Sequence, residues 1–289
     1  MIYAVCAFTF WGLMPIYFKQ VDTVSAIEVL LHRIIWSVVV LVILLVISKQ
    51  VSVVKDIFKS LKQLKYLILS SLFVSSNWLI FIWAVSQNKI VETSLGYFIN
   101  PLVNVVLGYL FFSERMNKNQ YIAIFIATFA VLYQIVSIGE IPLISLSLAF
   151  TFGFYGLVRK KIAIPSIPGL FVETIVLLPF ALVYFYYLVD TNSSAFFAND
   201  SYITLMLSLG GIITVLPLLF FNGAATRMKL TTLGFFQYIG PSLAFMVAIF
   251  IYNEPMNMDK LITFILIWVA LVIFSWDAIV SKRKAKRAL

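Results

Sequence analysis

Four sets of polar residues lie inside long apolar runs of this chain, where packing alone does not require them. Glu28, His32 and Trp36 recur at i, i+4 and i+8, so a helix places them on one face with Arg33 beside it. An imidazole titrates near neutral pH in water, which suits His32 to carrying a proton; a hydrogen-bonded structural histidine is the other reading. Arg33 can hold a substrate or snorkel to the outer headgroups. Tyr97, Asn100 and Asn104, at i, i+3 and i+7, form a second polar face, and Pro101 among them frees a backbone carbonyl. This face suits a transporter cavity with a broken helix, or hydrogen bonding between helices. Gln237, with Pro241, Ala244 and Ala248, takes the equivalent face of a later run. Glu173 is the acid well inside a run, placed to exchange a proton or to close a salt bridge. Trp11 beside Gly12, and Trp78 beside Asn77, line an apolar cavity or pack in a core, whereas Trp276 reads as an interfacial anchor.

The elements that position these residues follow from composition. Of 289 residues, 62% are hydrophobic and 11% charged, against about 25% charged in a soluble domain. No soluble fold of this size hides so much apolar surface, so a lipid bilayer must. Ten runs reach crossing length, roughly 2–18, 26–48, 64–86, 93–112, 119–137, 141–158, 167–188, 201–223, 230–252 and 260–279, where a crossing helix needs about 20 residues. Their continuous apolarity points to helices rather than to alternating barrel strands. The first run begins at Ile2 with no basic stretch before it, so it reads as a retained membrane helix rather than a cleaved signal.

With the N-terminus inside, 17 of the 21 Lys and Arg fall in inner loops and the tail; Lys19, Lys89 and Lys260 fall outside and Arg33 within a run. That bias places both termini in the cytoplasm and the two N-x-S triplets at Asn192 and Asn199 outside. The basic tail from Lys282 to Arg287 also suits anionic lipid. The net charge of +9 is spread between apolar runs, which argues against nucleic-acid binding. A single cysteine, Cys6, excludes an intrachain disulfide, and one Cys with one His argues against structural zinc.

The two halves repeat weakly, in register. Ala7-Phe8-Thr9-Phe10 returns at Ala149, Thr93-Ser94-Leu95-Gly96 at Thr231, Pro101 with Glu114 as Pro241 with Glu254, and Met116-Asn117 as Met256-Asn257. Five helices per copy make the second enter from the opposite side, giving an inverted repeat, 1–138 and 139–280, followed by a tail at 281–289. The expected fold is therefore all-α and polytopic, with ten transmembrane helices as two inverted five-helix repeats. Glu114 and Glu254 are expected to favour the N-terminus of the helix that follows each, with a gate role open.

The chain resembles the drug/metabolite transporter superfamily, in its ten-helix EamA group, and among these the RarD-like permeases. The resemblance rests on Trp11-Gly12-Leu13, Pro15, Tyr17-Phe18-Lys19, Glu28, His32-Arg33 and Trp36-Ser37, then on Asn77-Trp78, Trp83-Ala84, Gly96 to Leu102 and Glu114-Arg115, and on Val172-Glu173-Thr174 with Pro179. It is denser in the first half. It implies a cytoplasmic-membrane permease for small metabolites and leaves the substrate open.

The reading is a permease moving a small organic metabolite or drug-like molecule by alternating access. Trp11, His32, Arg33, Asn77, Trp78, Tyr97, Asn100 and Gln237 are its candidate substrate contacts, and Glu173, then His32, its proton carriers. Membrane lipids are expected partners, a homodimer is left open, and no cofactor or metal is expected. An integral membrane enzyme or lipid-headgroup transferase is the alternative; it would need paired acids or a metal cluster at one membrane face. No phosphate-binding G-x-x-x-x-G-K-[ST] loop, H-E-x-x-H or G-x-S-x-G stands in the sequence.

Overall fold

The computed structural model describes residues 1–87, 90–138, 143–162, 164–198, 200–253 and 258–287, with side chains described except at 85–86, 90–92, 94, 138, 248, 260 and 278–287. Glu254, Asn199 and the side chains of the basic tail thus lie outside the described residues. The chain is helical throughout: α1 (Ile2–Gln20), α2 (Ala26–Ile47), α3 (Val51–Lys59), α4 (Leu61–Ser86), α5 (Ile90–Phe112), α6 (Lys118–Ile138), α7 (Leu143–Ile162), α8 (Ser166–Asp190), α9 (Ser201–Ala225), α10 (Leu230–Gln237), α11 (Ile239–Phe250) and α12 (Met258–Arg287), with a 3₁₀ turn at Ala195–Phe197 before α9.

Helix ends are set by local chemistry. The Ser25 side chain accepts from the Glu28 amide to start α2, and the Asp200 carboxylate accepts from the Tyr202 and Ile203 amides to start α9. Among the described residues eight helical stretches are long and apolar enough to cross a membrane, α10 and α11 together forming one of them, and α12 contributes a shorter apolar stretch, Leu261–Asp277. Phe125, Val136, Phe180 and Val183 face outward at 72–78% exposure, a surface that only lipid accommodates. The protein is an all-α polytopic membrane protein.

α7 is the helix whose composition falls short of a free-standing span, because it ends in Arg159, Lys160 and Lys161. Its neighbours explain how it is tolerated: α4, α5 and α9 pack around it and bury Gly153, Tyr155, Gly156 and Arg159. One reading of the sequence is corrected here, that of a break at Pro101. α5 runs through Pro101 as one helix, while the ninth run is the one interrupted, at Tyr238 between α10 and α11. Pro241, which has no amide to offer the Gln237 carbonyl, lies three residues after the break. α3 was not foreseen. It is an amphipathic segment that buries Val54 and Ile57 against Leu45, Leu67, Ile164 and Val172 and leaves Lys55, Asp56 and Lys59 exposed.

Helix packing brings distant sequence together. α1 packs on α9 and α11, α7 on α4 and α5, α2 on α8 and α9, α4 on α8, α5 on α10, and α6 on α12. The α2–α9 crossing is unusually close. A Cβ on Gly211 would lie 2.4 Å from the Trp36 carbonyl carbon, so only glycine permits this approach.

Candidate substrate site

Arg33 on α2 points into the bundle. Its Nε donates to Thr214 Oγ1 on α9 at 2.8 Å, and Thr214 in turn donates to the Gly210 carbonyl. The guanidinium carbon lies 5.5 Å from the Trp78 ring centre on α4 and 5.7 Å from that of Phe18 on α1. Tyr17 donates to the Met206 carbonyl at 3.1 Å and flanks the same space. Gly210 makes room for both: a Cβ there would sit 3.0 Å from the Tyr17 hydroxyl and 3.1 Å from Arg33 Cγ. Tyr97 on α5 lies within electrostatic reach of Arg33. It is 50% exposed, and its ring lies 6.3 Å from that of Phe81 on α4. The structure thus gathers Arg33, Trp78 and Tyr97 around one recess.

The other candidates are distributed differently. His32 stacks on Phe196 with ring centres 4.6 Å apart and meets Phe185 edge-on at 5.2 Å. Its Nε2 stands 3.9 Å from Glu28 Oε1, and neither ring nitrogen has a hydrogen-bond partner among the described residues. Glu28 itself is held by Ser194 and the amides of Ala195 and Phe196. His32 therefore belongs to an aromatic box against α8 and the 3₁₀ turn, apart from the Arg33 recess. Trp11 packs among Phe8, Phe152 and Phe221.

The asparagines tie helices together. Asn77 Nδ2 donates to the Leu148 carbonyl at 2.8 Å and to Thr151 Oγ1 at 3.0 Å. Asn100 Nδ2 donates to the Ala149 carbonyl at 2.7 Å. Asn104 Nδ2 bridges Asn100 Oδ1 at 3.0 Å and Gln237 Oε1 at 2.5 Å, which leaves Asn104 Oδ1 enclosed without a partner among the described residues. All but the Asn104–Asn100 bond, which lies within α5, join α4 or α5 to α7 or α10.

Glu173 lies in a fully protein-lined polar cluster. Ser70 donates to Oε1, Arg159 Nη1 stands 3.4 Å from the same oxygen, and the Tyr155 hydroxyl lies 3.4 Å from Oε2. Asn222 Nδ2 donates to that hydroxyl at 3.0 Å, and Ser71 donates to the Glu173 carbonyl. Arg159 is 0% exposed. The sequence reading had counted it among the loop cations. It is instead the counterion of Glu173, in the last turn of α7. Of the three consecutive basic residues, the sequence does not say which turns inward.

A small cavity links the two clusters. Trp78, Thr214, Ser37, Leu218, Tyr155 and Glu173 are among the residues that line it. It has space for a water-sized molecule rather than an organic solute. Beyond it, Glu114 accepts from the amides of Leu230 and Thr231 at 2.8 and 2.9 Å. Lys160 Nζ lies 3.4 Å from Glu114 and also donates to the Met228 carbonyl. Glu114 was expected to serve the helix that follows it; it caps α10 across the molecule instead. Asp277, not singled out from sequence, accepts from Asn117, Asn119 and Gln120 and fastens α12 to the start of α6.

A helical bundle with lipid-facing apolar walls, a half-buried cation and a small internal cavity is a multi-pass membrane protein. The EamA-like transporter family matches residues 1–135. The chain is 48% identical over 281 residues to the protein RarD of Salmonella typhi, covering 97% of this chain and 96% of that protein. It is 47% identical over 285 residues to an uncharacterized transporter of Vibrio cholerae, covering 99% and 94%. Against the transporter YojE of Bacillus subtilis the identity is 39% over 288 residues, covering 99% and 96%. A solved chain described only as the crystal structure of a protein superposes with a TM-score of 0.71 at 15% identity, over 95% of this chain and 96% of that one, so it shares the fold. The chain belongs to the EamA-like transporter family, in its RarD-like branch, and is a permease for small molecules rather than an enzyme.

Proposed function

We propose that this permease works by alternating access between two inverted five-helix halves, 1–138 and 139–280, with ten crossings, both termini cytoplasmic and a basic cytoplasmic tail at 281–289. The reciprocity of helix packing carries the reading. α5 meets α7 as α11 meets α1, α4 meets α7 as α9 meets α1, and α4 meets α8 as α9 meets α2. The remaining pairs, α2 with α8, α5 with α10 and α6 with α12, join each helix to its counterpart. Equivalent halves in unequal arrangements can exchange roles, which opens the site to each side in turn. Here the inner side is closed by Glu114, Lys160 and the cap on α10, while the Arg33 recess keeps accessible surface, as in an outward-facing state.

Arg33, Trp78 and Tyr97 are the substrate contacts of this state. Trp11, Asn77, Asn100 and Gln237 line the path that the opposite state uncovers, when the bonds between α5, α7 and α10 rearrange. Glu173 is the first proton carrier and His32 the second. Glu173 faces Arg159 and Tyr155 on α7, Ser70 on α4 and, through Tyr155, Asn222 on α9; a proton on it removes the charge that holds Arg159.

The test runs in two stages. Thermal stabilisation of purified protein across amino acids, nucleosides, drugs and cofactors identifies a substrate. Uptake into proteoliposomes with an imposed pH gradient then compares wild type with Glu173→Gln, which should exchange substrate without concentrating it; His32→Gln should be milder. Wild-type uptake that ignores the gradient contradicts the coupling. Reporter fusions after Lys286 and near Asn192 should lie inside and outside, and a C-terminal reporter outside contradicts the topology.

A further inference from the structure

Among the described residues Arg33 is a cation without a carboxylate. Among the described residues the buried acids are otherwise engaged: Glu28 by Ser194 and two amides, Glu114 by two amides and Lys160, Glu173 by Arg159 and Ser70, and Asp277 by three side-chain amides. Among the described residues Arg33 engages only Thr214, through Nε; its two Nη groups make no hydrogen bond or ion pair with a described residue, and the side chain is only half-buried. Snorkelling does not explain this. Arg33 lies seven residues from the start of α2, about 10 Å along the helix, while Thr214 lies thirteen residues from the start of α9, roughly 20 Å. Both helices start at the end of the bundle where Glu28 meets Ser194 and the 3₁₀ turn. The guanidinium therefore bends away from the near headgroups and toward mid-depth. A charge placed there is costly unless something compensates it.

We propose that the permeated substrate supplies the compensation: it is an organic anion whose carboxylate or phosphate oxygens take the free Nη edge of Arg33, with its apolar body against Phe18, Trp78 and Tyr97. This rests on the carrier reading above and names its substrate class. A planar guanidinium with two open donor groups matches a two-oxygen anion. The rings already stacked about the cation offer the body an apolar wall, and the Tyr97 hydroxyl a polar end to it. The same chemistry would also accept a lipid phosphate, so the source of the anion has to be tested.

The experiment is peptide-mapped phenylglyoxal labelling of the wild-type protein in neutral detergent, with the thermal midpoint read on the same samples. The probes are phenylacetate, indole-3-acetate and phenyl phosphate, with phenylacetamide and indole-3-acetamide as neutral counterparts. Arg33 should label in the free protein, and the anions should suppress its adduct several-fold and raise the midpoint while the amides do neither. Arg159, fully enclosed, should not label in either condition. Arg33→Gln should lose the stabilisation by anions; the labelling result stands even if that variant does not fold. Equal action of acids and amides, retained stabilisation of Arg33→Gln, no response to any probe, or protection by phosphatidylglycerol vesicles but not by soluble anions each overturns the assignment. Proteoliposome flux separates it from the carrier reading: flux of amides alone removes the anion class and leaves the carrier, whereas Arg33 protection without flux of any probe leaves the site and removes the carrier.

Discussion

The bundle buries two arginines under opposite terms. Arg159 is sealed in protein, with Glu173 as its counterion, a Gly169 backbone so close that a Cβ there would lie 2.1 Å from Nη1, and Nε and Nη2 unpartnered among the described residues. Arg33 has aromatic rings and one hydroxyl for company and keeps accessible surface. One cation is neutralised by the fold, the other is left to be neutralised by what enters. The difference shows two ways to hold charge inside a bundle: one cation is paired and enclosed, and the other is half-buried beside aromatic rings.

The largest effect that sharpens this contrast is expected at the closed pair. Arg159→Gln leaves Glu173 without its counterion, and removing one partner of a buried pair costs about 3–5 kcal/mol. Denaturation in mild detergent should show that loss, and a double replacement, Arg159→Met with Glu173→Leu, should recover much of it. Next is Gly211→Ala, which forces α2 away from α9; overpacking of this kind costs about 1–3 kcal/mol. Because that crossing sets the Arg33–Thr214 bond, the same variant should weaken anion binding, whereas Ala at the more open Gly240 should leave binding unchanged. Smaller again is Glu114→Gln. It keeps the size of the side chain but leaves one acceptor for the two α10 amides, and it removes the charge and the pairing with Lys160, at a cost of about 1 kcal/mol. Cysteines placed at the inner ends of α7 and α10 in a Cys6→Ser background should then label faster from the cytoplasmic side. Unchanged labelling would remove Glu114 from the inner closure.

Much of this architecture was legible in the sequence because lipid imposes one rule, continuous apolarity over a crossing length. α3 escaped that rule: its two buried side chains, Val54 and Ile57, alternate with Lys55, Asp56 and Lys59 in what reads as a polar connection. Pro101 and Pro241 look equivalent in sequence, yet only the second accompanies a helix break, since α5 continues through Pro101 with Gly234 of α10 packed on its carbonyl. The polar residues were found as types and not as partners. Glu173 was visible as a lone acid, but its counterion sat among three adjacent basic residues, and Glu114 reaches a helix start 116 residues away. His32 and Arg33 are neighbours in sequence and diverge in space, one into an aromatic box and the other into the recess.

The central claim is that Arg33 is left unpaired for a ligand while Arg159 is neutralised by the fold. Its most direct measurement is the unfolding free energy of Arg33→Gln beside that of Arg159→Gln, in the same detergent and without added solute. The account predicts that Arg33→Gln stays within about 1 kcal/mol of wild type, because no buried partner is orphaned, while Arg159→Gln falls by several. If Arg33→Gln falls as far as Arg159→Gln, Arg33 is serving the fold and is not reserved for a substrate.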